Sequence, residues 1–150
     1  MRWLDQREAR VWRAYRELHR ELQNAQERQL SGDSGLSLAD YALLVPLSEA
    51  ADGVVRFRDL GTEVGWERSR LSHQVSRMVK RGLVVREDCP EDARGCMIRL
   101  TEAGRTAIVA AAPAHVETVR RYFFADVADA ELDVLDAVFT RLLTRLRDPN

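Results

Sequence analysis

The sequence predicts a mainly α chain with a small β-hairpin wing: a winged helix-turn-helix flanked by N- and C-terminal helices. Three observations predict it. Between residues 57 and 82 a short helical segment, a glycine turn and a longer basic helix follow one another. The apolar period then changes from that of a helix to that of strands over 83–88 and 96–100. Long amphipathic stretches stand on either side of this block.

Each element has a local reason. From about residue 3 to residue 30, Val11, Tyr15, Leu18 and Leu22 recur at spacings of three and four, with Trp12 and His19 beside them. The Ser-Gly-Asp-Ser-Gly run at 31–35 predicts the end of that helix. Ser37, with Asp40 three residues on, predicts a side-chain cap and an acid in the first turn of the next helix. That helix carries Leu38, Tyr41, Leu44, Val45 and Leu47, and Pro46 is expected to kink or end it. Asp52-Gly53 reads as a turn and 54–56 as a very short strand, followed by a short helix over 57–64. Gly65-Trp66 is the tight turn before a stronger helix over 67–81, which Gly82 closes in the left-handed position.

Two strands joined by the polar connector 90–95 make the hairpin over 83–100. Thr101 is expected to cap a long helix whose apolar side bears Ile108, Val109, Ala112, Val116, Val119 and Phe123, bent at Pro113. Asp129 is expected to cap the last helix, with Leu132, Leu135, Phe139, Leu142 and Leu146 as its stripe. The implied division is an N-terminal helix (1–35), a central winged block (36–100) and C-terminal helices (101–150).

A chain of 150 residues with 45% hydrophobic and 31% charged residues is ordinary for a folded protein. No apolar run approaches the roughly 18 residues of a membrane span, and the N-terminus alternates charge with apolar residues unlike a signal peptide. A cytoplasmic protein with no membrane partner is expected. The net charge of -1 argues against a nucleic-acid partner only until its distribution is examined. Residues 66–82 hold Arg68, Arg70, Arg77, Lys80 and Arg81 against Glu67 alone, whereas six acids lie from Ala125 onward. Charges are screened beyond about 10 Å in ordinary salt, so the local field decides phosphate binding.

Cys89 and Cys96 are too few for a disulfide framework and are expected to be reduced. They sit on opposite arms of the hairpin, and an oxidative bridge would need their Cα atoms within about 7 Å. Two thiols without a nearby histidine do not complete a zinc site, so no metal is expected. No nucleophile motif and no glycine-rich phosphate loop occurs, so the expectation is no enzyme, no catalytic residue and no cofactor.

On a helical wheel of 67–81, Leu71, Val75, Met78 and Val79 cluster toward a core. Ser69, Arg70, His73, Ser76, Arg77 and Lys80 make the opposite face. Short hydroxyls permit close approach to DNA, and arginine can bond guanine O6 and N7 together. Early residues of such a helix reach base edges and later ones meet phosphate. Ser69, Arg70 and His73 are therefore the candidates for bases and Arg77 for phosphate, with Arg68 in the same DNA-binding set. The order helix, turn, helix, hairpin carries this reading, because a basic amphipathic helix alone is often just a solvated face.

Over nearly its whole length, and most strongly from Phe57 to Gly104, the chain resembles the MarR family of transcriptional regulators. The resemblance lies in FRDLGTEVGWERSRLSHQVSRMVKRGLVVRE, in Asp92-x-Arg94 at the wing tip, and in Leu100-Thr101-x-x-Gly104 after it. It implies a homodimer interlocked through the first and last helices, bound to a pseudopalindromic site on double-stranded DNA. It implies that Arg94 enters the minor groove, where the narrow groove's negative potential favours it, with Asp92 as its wing-tip support. An ordinary turn salt bridge is the alternative for that pair. Glu67 stands where a Ser, Thr or Asp cap is usual, and Gly95 where a second arginine or small polar residue is common.

The resemblance further implies a repressor released from DNA by a small aromatic or anionic effector. Trp12, Tyr15, His19 and Tyr41 are the candidates to line its pocket, against the alternative that they are simply core and interface. A helical adaptor using the same fold for protein contacts is the competing function. It would lack salt-dependent affinity for DNA.

Overall fold

A computed structural model describes residues 1–88 and 96–148. The element order is α1 (Gln6–Ser34), α2 (Leu38–Glu49), β1 (Val54–Arg56), α3 (Phe57–Val64), α4 (Arg68–Lys80), β2 (Val84–Asp88), β3 (Cys96–Leu100), α5 (Glu102–Val119), a π-helical turn (Arg120–Phe124) and α6 (Asp129–Arg147). The chain divides into two compact units, 1–118 and the segment from Val119 onward. The expected fold class is observed.

In the first unit, a core of leucines from four helices backs the sheet. Leu30 of α1, Leu43, Leu44 and Leu47 of α2, Leu60 of α3, and Leu71, Val75 and Met78 of α4 are buried to within 1%. The sheet contributes Val84 and Ile98, and α5 contributes Ile108 and Ala111. Strand order is β1-β3-β2, all antiparallel, with Val85 opposite Arg99 and Arg86 opposite Ile98 on one side of β3, and Val55 opposite Ile98 on the other. The short strand expected at 54–56 is thus the third member of the wing's sheet.

Several local expectations need correction. The first helix does not stop at Leu30; it continues through Gly32 to Ser34 and ends at Gly35, φ 68°. Serine hydroxyls hold this last turn, since Ser34 Oγ donates to the Leu30 carbonyl at 2.7 Å. Pro46 does not end α2, which runs on to Glu49 because Leu47 is anchored in the core and the Pro46 carbonyl still accepts the Ala50 N–H at 3.1 Å. Helical geometry likewise continues through Pro113 in α5. The cap of α6 is Ala128, with Asp129 in the first turn, and Glu131 accepts the Ala128 N–H at 2.9 Å.

The buried face of α5 is also not the one the apolar pattern selects. Gly104, Ile108, Ala111 and His115 face inward, whereas Val109 and Val116 are 67% and 47% exposed. Glycine is required at 104 because the first turn of α5 passes directly over the backbone of Leu83. In α1 the stripe of Val11, Trp12, Tyr15 and Leu18 is exposed throughout, and Leu30 is that helix's buried residue. In the second unit, α6 exposes Val134, Phe139, Leu142 and Leu146. No helix among the described residues is long and apolar enough to cross a membrane.

His115 is the one buried base in this core, 8% exposed, with Nδ1 unbonded and its ring 4.1 Å from that of Tyr41. Burial pushes its pKa below the usual 6.5, because a low-dielectric site disfavours the charged ring. The unfolded chain therefore takes up this proton first as pH falls. Stability linked to His115 is complete above the unfolded value and is lost as pH drops toward the lowered folded one. We expect His115→Phe to flatten the fall in melting temperature between about pH 7.5 and about pH 5. An unchanged slope in that variant would assign the acid sensitivity to other groups.

Candidate nucleic-acid interface

The helix-turn-helix is set by two left-handed glycines. Gly65 ends α3 at φ 69° and Gly82 follows α4 at φ 74°, a region from which a side chain is sterically discouraged. The Trp66 N–H bonds the Gly61 carbonyl at 3.0 Å and so closes the turn between the two helices. Glu67 occupies the cap position of α4 without capping it; its carboxylate instead accepts the Ser69 hydroxyl at 2.6 Å. No side chain caps the first-turn N–H groups of α4.

The buried arc of α4 is Leu71, Gln74, Val75 and Met78. Val79, expected in the core, is 38% exposed, and Gln74, expected on no particular face, is 5% exposed. At about 100° per residue, Val79 lies at one edge of the arc and Gln74 at the other. The helix is rolled toward Gln74 because the amide donates to the Asp40 carboxylate at 2.6 Å inside the protein.

Arg68, Ser69, Arg70, His73, Ser76, Arg77 and Lys80 are exposed on the rest of the helix surface. Arg70 is not loose on it: its guanidinium lies 4.2 Å over the Trp66 ring, a contact that preorders the side chain. Arg68, His73 and Arg77 have no partner among the described residues, which leaves their donors for a ligand. Beside the N-terminal half of α4 lies an open groove of about 1130 Å³, bordered by Arg58, Trp66, Arg68, Ser72 and Arg86. Arg58 belongs to this cationic rim and was not singled out from the sequence, because on a short helix it has no periodic signature.

The wing is fastened to α4. Arg86 of β2 reaches across to donate to the Ser72 carbonyl and to Ser76 Oγ, both at 2.9 Å. Over the same stretch of the hairpin, Arg99 pairs diagonally with Glu87 across the strands. Hydrogen bonding from Arg99 holds the Glu87 carboxyl below its usual pKa. Asp92 and Arg94, expected at the wing tip, lie outside the described residues, as does Cys89. Cys96 is a half-buried free thiol opposite Asp88. No cluster of three or more His, Cys, Asp or Glu side chains among the described residues could hold a metal ion.

The four aromatic candidates separate into two groups. Trp12, Tyr15 and His19 form a consecutive stack on exposed α1, with ring centroids 5.4 and 6.2 Å apart. Tyr41 is half-buried on α2, and its ring partner is His115. Burial raises its phenol pKa.

Comparison with known proteins agrees with this geometry. Residues 34–95 match the sequence model described as the MarR family. The structure matches AbsC, a MarR family transcriptional regulator from Streptomyces coelicolor, with a TM-score of 0.93 and 39% identity over 99% of each chain. It matches Sco3205, a MarR family regulator from the same organism solved in complex with DNA, with a TM-score of 0.91 and 37% identity over 97% of this chain and 91% of that one. CouR from Rhodococcus jostii, solved bound to p-coumaroyl-CoA, matches with a TM-score of 0.75 and 25% identity over 88% of this chain and 90% of that one. A search of curated proteins gives no match. With a basic face on α4, a wing fastened to it and near-complete coverage of relatives at this identity, the chain belongs to the MarR family of DNA-binding transcriptional regulators.

Proposed function

We propose that the chain is a repressor that binds a pseudopalindromic operator as a homodimer, with α4 in the major groove and the wing at the minor groove. The observation that carries this reading is the outward face of α4, whose unpartnered cations lie beside a groove rimmed by further arginines. Ser69, Arg70 and His73 contact bases, Arg68 belongs to the same DNA-contacting set, and Arg77 contacts backbone phosphate. Arg94 enters the minor groove with Asp92 as its support. Pairing through the terminal helices is supported by the apolar stripes that α1 and α6 leave exposed in a single chain. Sco3205, solved with DNA, supports DNA as the partner.

A small aromatic or anionic effector belongs to this reading, since CouR is solved with p-coumaroyl-CoA bound. The α1 ring stack and the Tyr41–His115 pair are its candidate contacts. The protein acts where the DNA is, in the cytoplasm.

Selection of bound duplexes from a random pool tests the proposal. The expected product is an inverted repeat with half-sites about one helical turn apart, roughly 34–36 Å. Binding should weaken steeply as salt rises, since each neutralised phosphate releases counterions. Failure to enrich any sequence at low salt would give the adaptor reading the advantage.

A further inference from the structure

Asp40 is the most completely buried charged side chain of the described residues, 1% exposed. An acid three residues after Ser37 is explained locally by the capping box, in which Asp40 Oδ2 accepts the Ser37 N–H at 2.9 Å. A cap needs no more than that and normally sits at the surface. Here the same carboxylate also accepts Gln74 Nε2 from the middle of α4 at 2.6 Å and Arg81 Nη1 from its end at 2.5 Å. Arg81 uses its second nitrogen, Nη2, to donate to the Gly35 carbonyl at 2.8 Å, where α1 stops. One buried carboxylate therefore joins the end of α1, the start of α2, and α4 at its midpoint and at its C-terminal cap.

The geometry of those bonds matters more than their number. Two attachments on one helix fix both its roll about its axis and its position along α2 through directional bonds, and a fully satisfied buried polar network specifies one arrangement of the elements it joins. Buried charges held by several directional bonds also resist rearrangement, because each broken bond leaves an unsatisfied group away from water. The roll that buries Gln74 and leaves Val79 at the surface is the visible result.

We propose that Asp40 is a positioning residue that determines operator spacing: it locks α4 to the α1–α2 corner, so that the geometry of the paired chains sets the distance between half-sites. This rests on the homodimer reading above. In a dimer joined through α1, the hydrogen-bonded path from one α4 to the other runs through Arg81, Asp40 and Gly35 in each chain, alongside the leucine core. Loosening that link leaves each half-site contact intact while relaxing the distance between them.

The test compares duplexes carrying the selected half-sites at their preferred spacing with duplexes lengthened or shortened by one base pair. One base pair turns a half-site by roughly 34° about the duplex axis. The wild-type dimer should lose roughly tenfold or more in affinity for either change, as for a mismatched base pair. Asp40→Asn, confirmed as a folded dimer by light scattering and with unchanged half-site preference, should lose less than about threefold. A wild-type spacing profile in D40N overturns the proposal, even if its overall affinity falls.

If D40N does not fold, Arg81→Gln and Gln74→Met are judged by the same profile, and retention of wild-type discrimination by both overturns it. Ile108→Val, a core change that touches none of these groups, should keep the wild-type profile despite lower thermal stability. Equal relaxation in I108V would make the effect one of stability and overturn the assignment. A wild-type protein that is monomeric or selects no inverted repeat defeats the homodimer reading itself, and that result is read before any variant is made.

Discussion

Gly104→Ala should cost about 3 kcal/mol of folding stability, the upper range for forcing a methyl group into a closed site. A Cβ at this position would stand 2.1 Å from the Leu83 carbonyl oxygen and 2.7 Å from Leu100 Cδ1. The carbonyl cannot simply withdraw. It accepts the Thr101 N–H at 3.2 Å, and the Thr101 hydroxyl, which donates to the neighbouring Gly82 carbonyl at 2.6 Å, caps α5 by accepting the Gly104 N–H at 3.0 Å. A methyl here therefore separates α5 from the junction of α4 with the wing, and breaks the cap in the process. Urea denaturation measures the loss. Gly32→Ala is the control: a Cβ there meets nothing within 4 Å, and helical alanine should be neutral or stabilising. A G104A protein within about 0.5 kcal/mol of wild type would show that α5 can move off Leu83 at little cost.

Arg70→Ala should lower DNA affinity by about 1–3 kcal/mol per half-site, and so by about 2–6 kcal/mol for a symmetric complex. Selectivity should relax at one base position in each half. Two features make this side chain the strongest candidate on α4. It stands early in the helix, where base edges are within reach, and Trp66 holds its guanidinium in place before binding, so less side-chain entropy is lost on contact. Arg77→Ala should instead weaken binding evenly across sequences and reduce the salt slope by about one per site. The two variants are separated by measuring affinity for the preferred site and for single-base variants over a range of salt. Unchanged base preference in a folded R70A protein would remove Arg70 from the reading set.

Elements whose signals are local were legible in the sequence. The helix Phe57–Val64 and the strand Cys96–Leu100 have the expected bounds because a glycine turn, or a change of apolar period, marks their ends. The ends of α1 and α6 were not, since Gly32 costs a helix little when serine hydroxyls hold the turn, and Asp129 lost the cap position to Ala128. The faces of helices were legible only where large apolar residues point inward. In α5 the inner face is glycine, alanine, isoleucine and histidine, and the valines lie outside, so hydrophobicity alone selects the wrong side. In α4 a buried amide displaced Val79 from the core, and nothing in a single helix announces a partner such as Asp40, 34 residues away. The candidate DNA face was legible because charge and exposure coincide there. The fastening of the wing was not, because Arg86 reads as one more arginine until its serine partners on α4 are located.

That fastening has a mechanical meaning. Arg86 joins the wing to the recognition helix through a backbone carbonyl and a serine hydroxyl, and Arg99 with Glu87 stiffens the hairpin over the same stretch. In the binding mode proposed above, helix and wing strands would approach a duplex as a single unit, and the DNA would have to bend or narrow its groove to meet both contacts at once. The elastic cost of doing so varies with base sequence, being low at flexible pyrimidine–purine steps and high in stiff tracts. Base pairs that touch no side chain would thereby enter the recognition through how readily they deform.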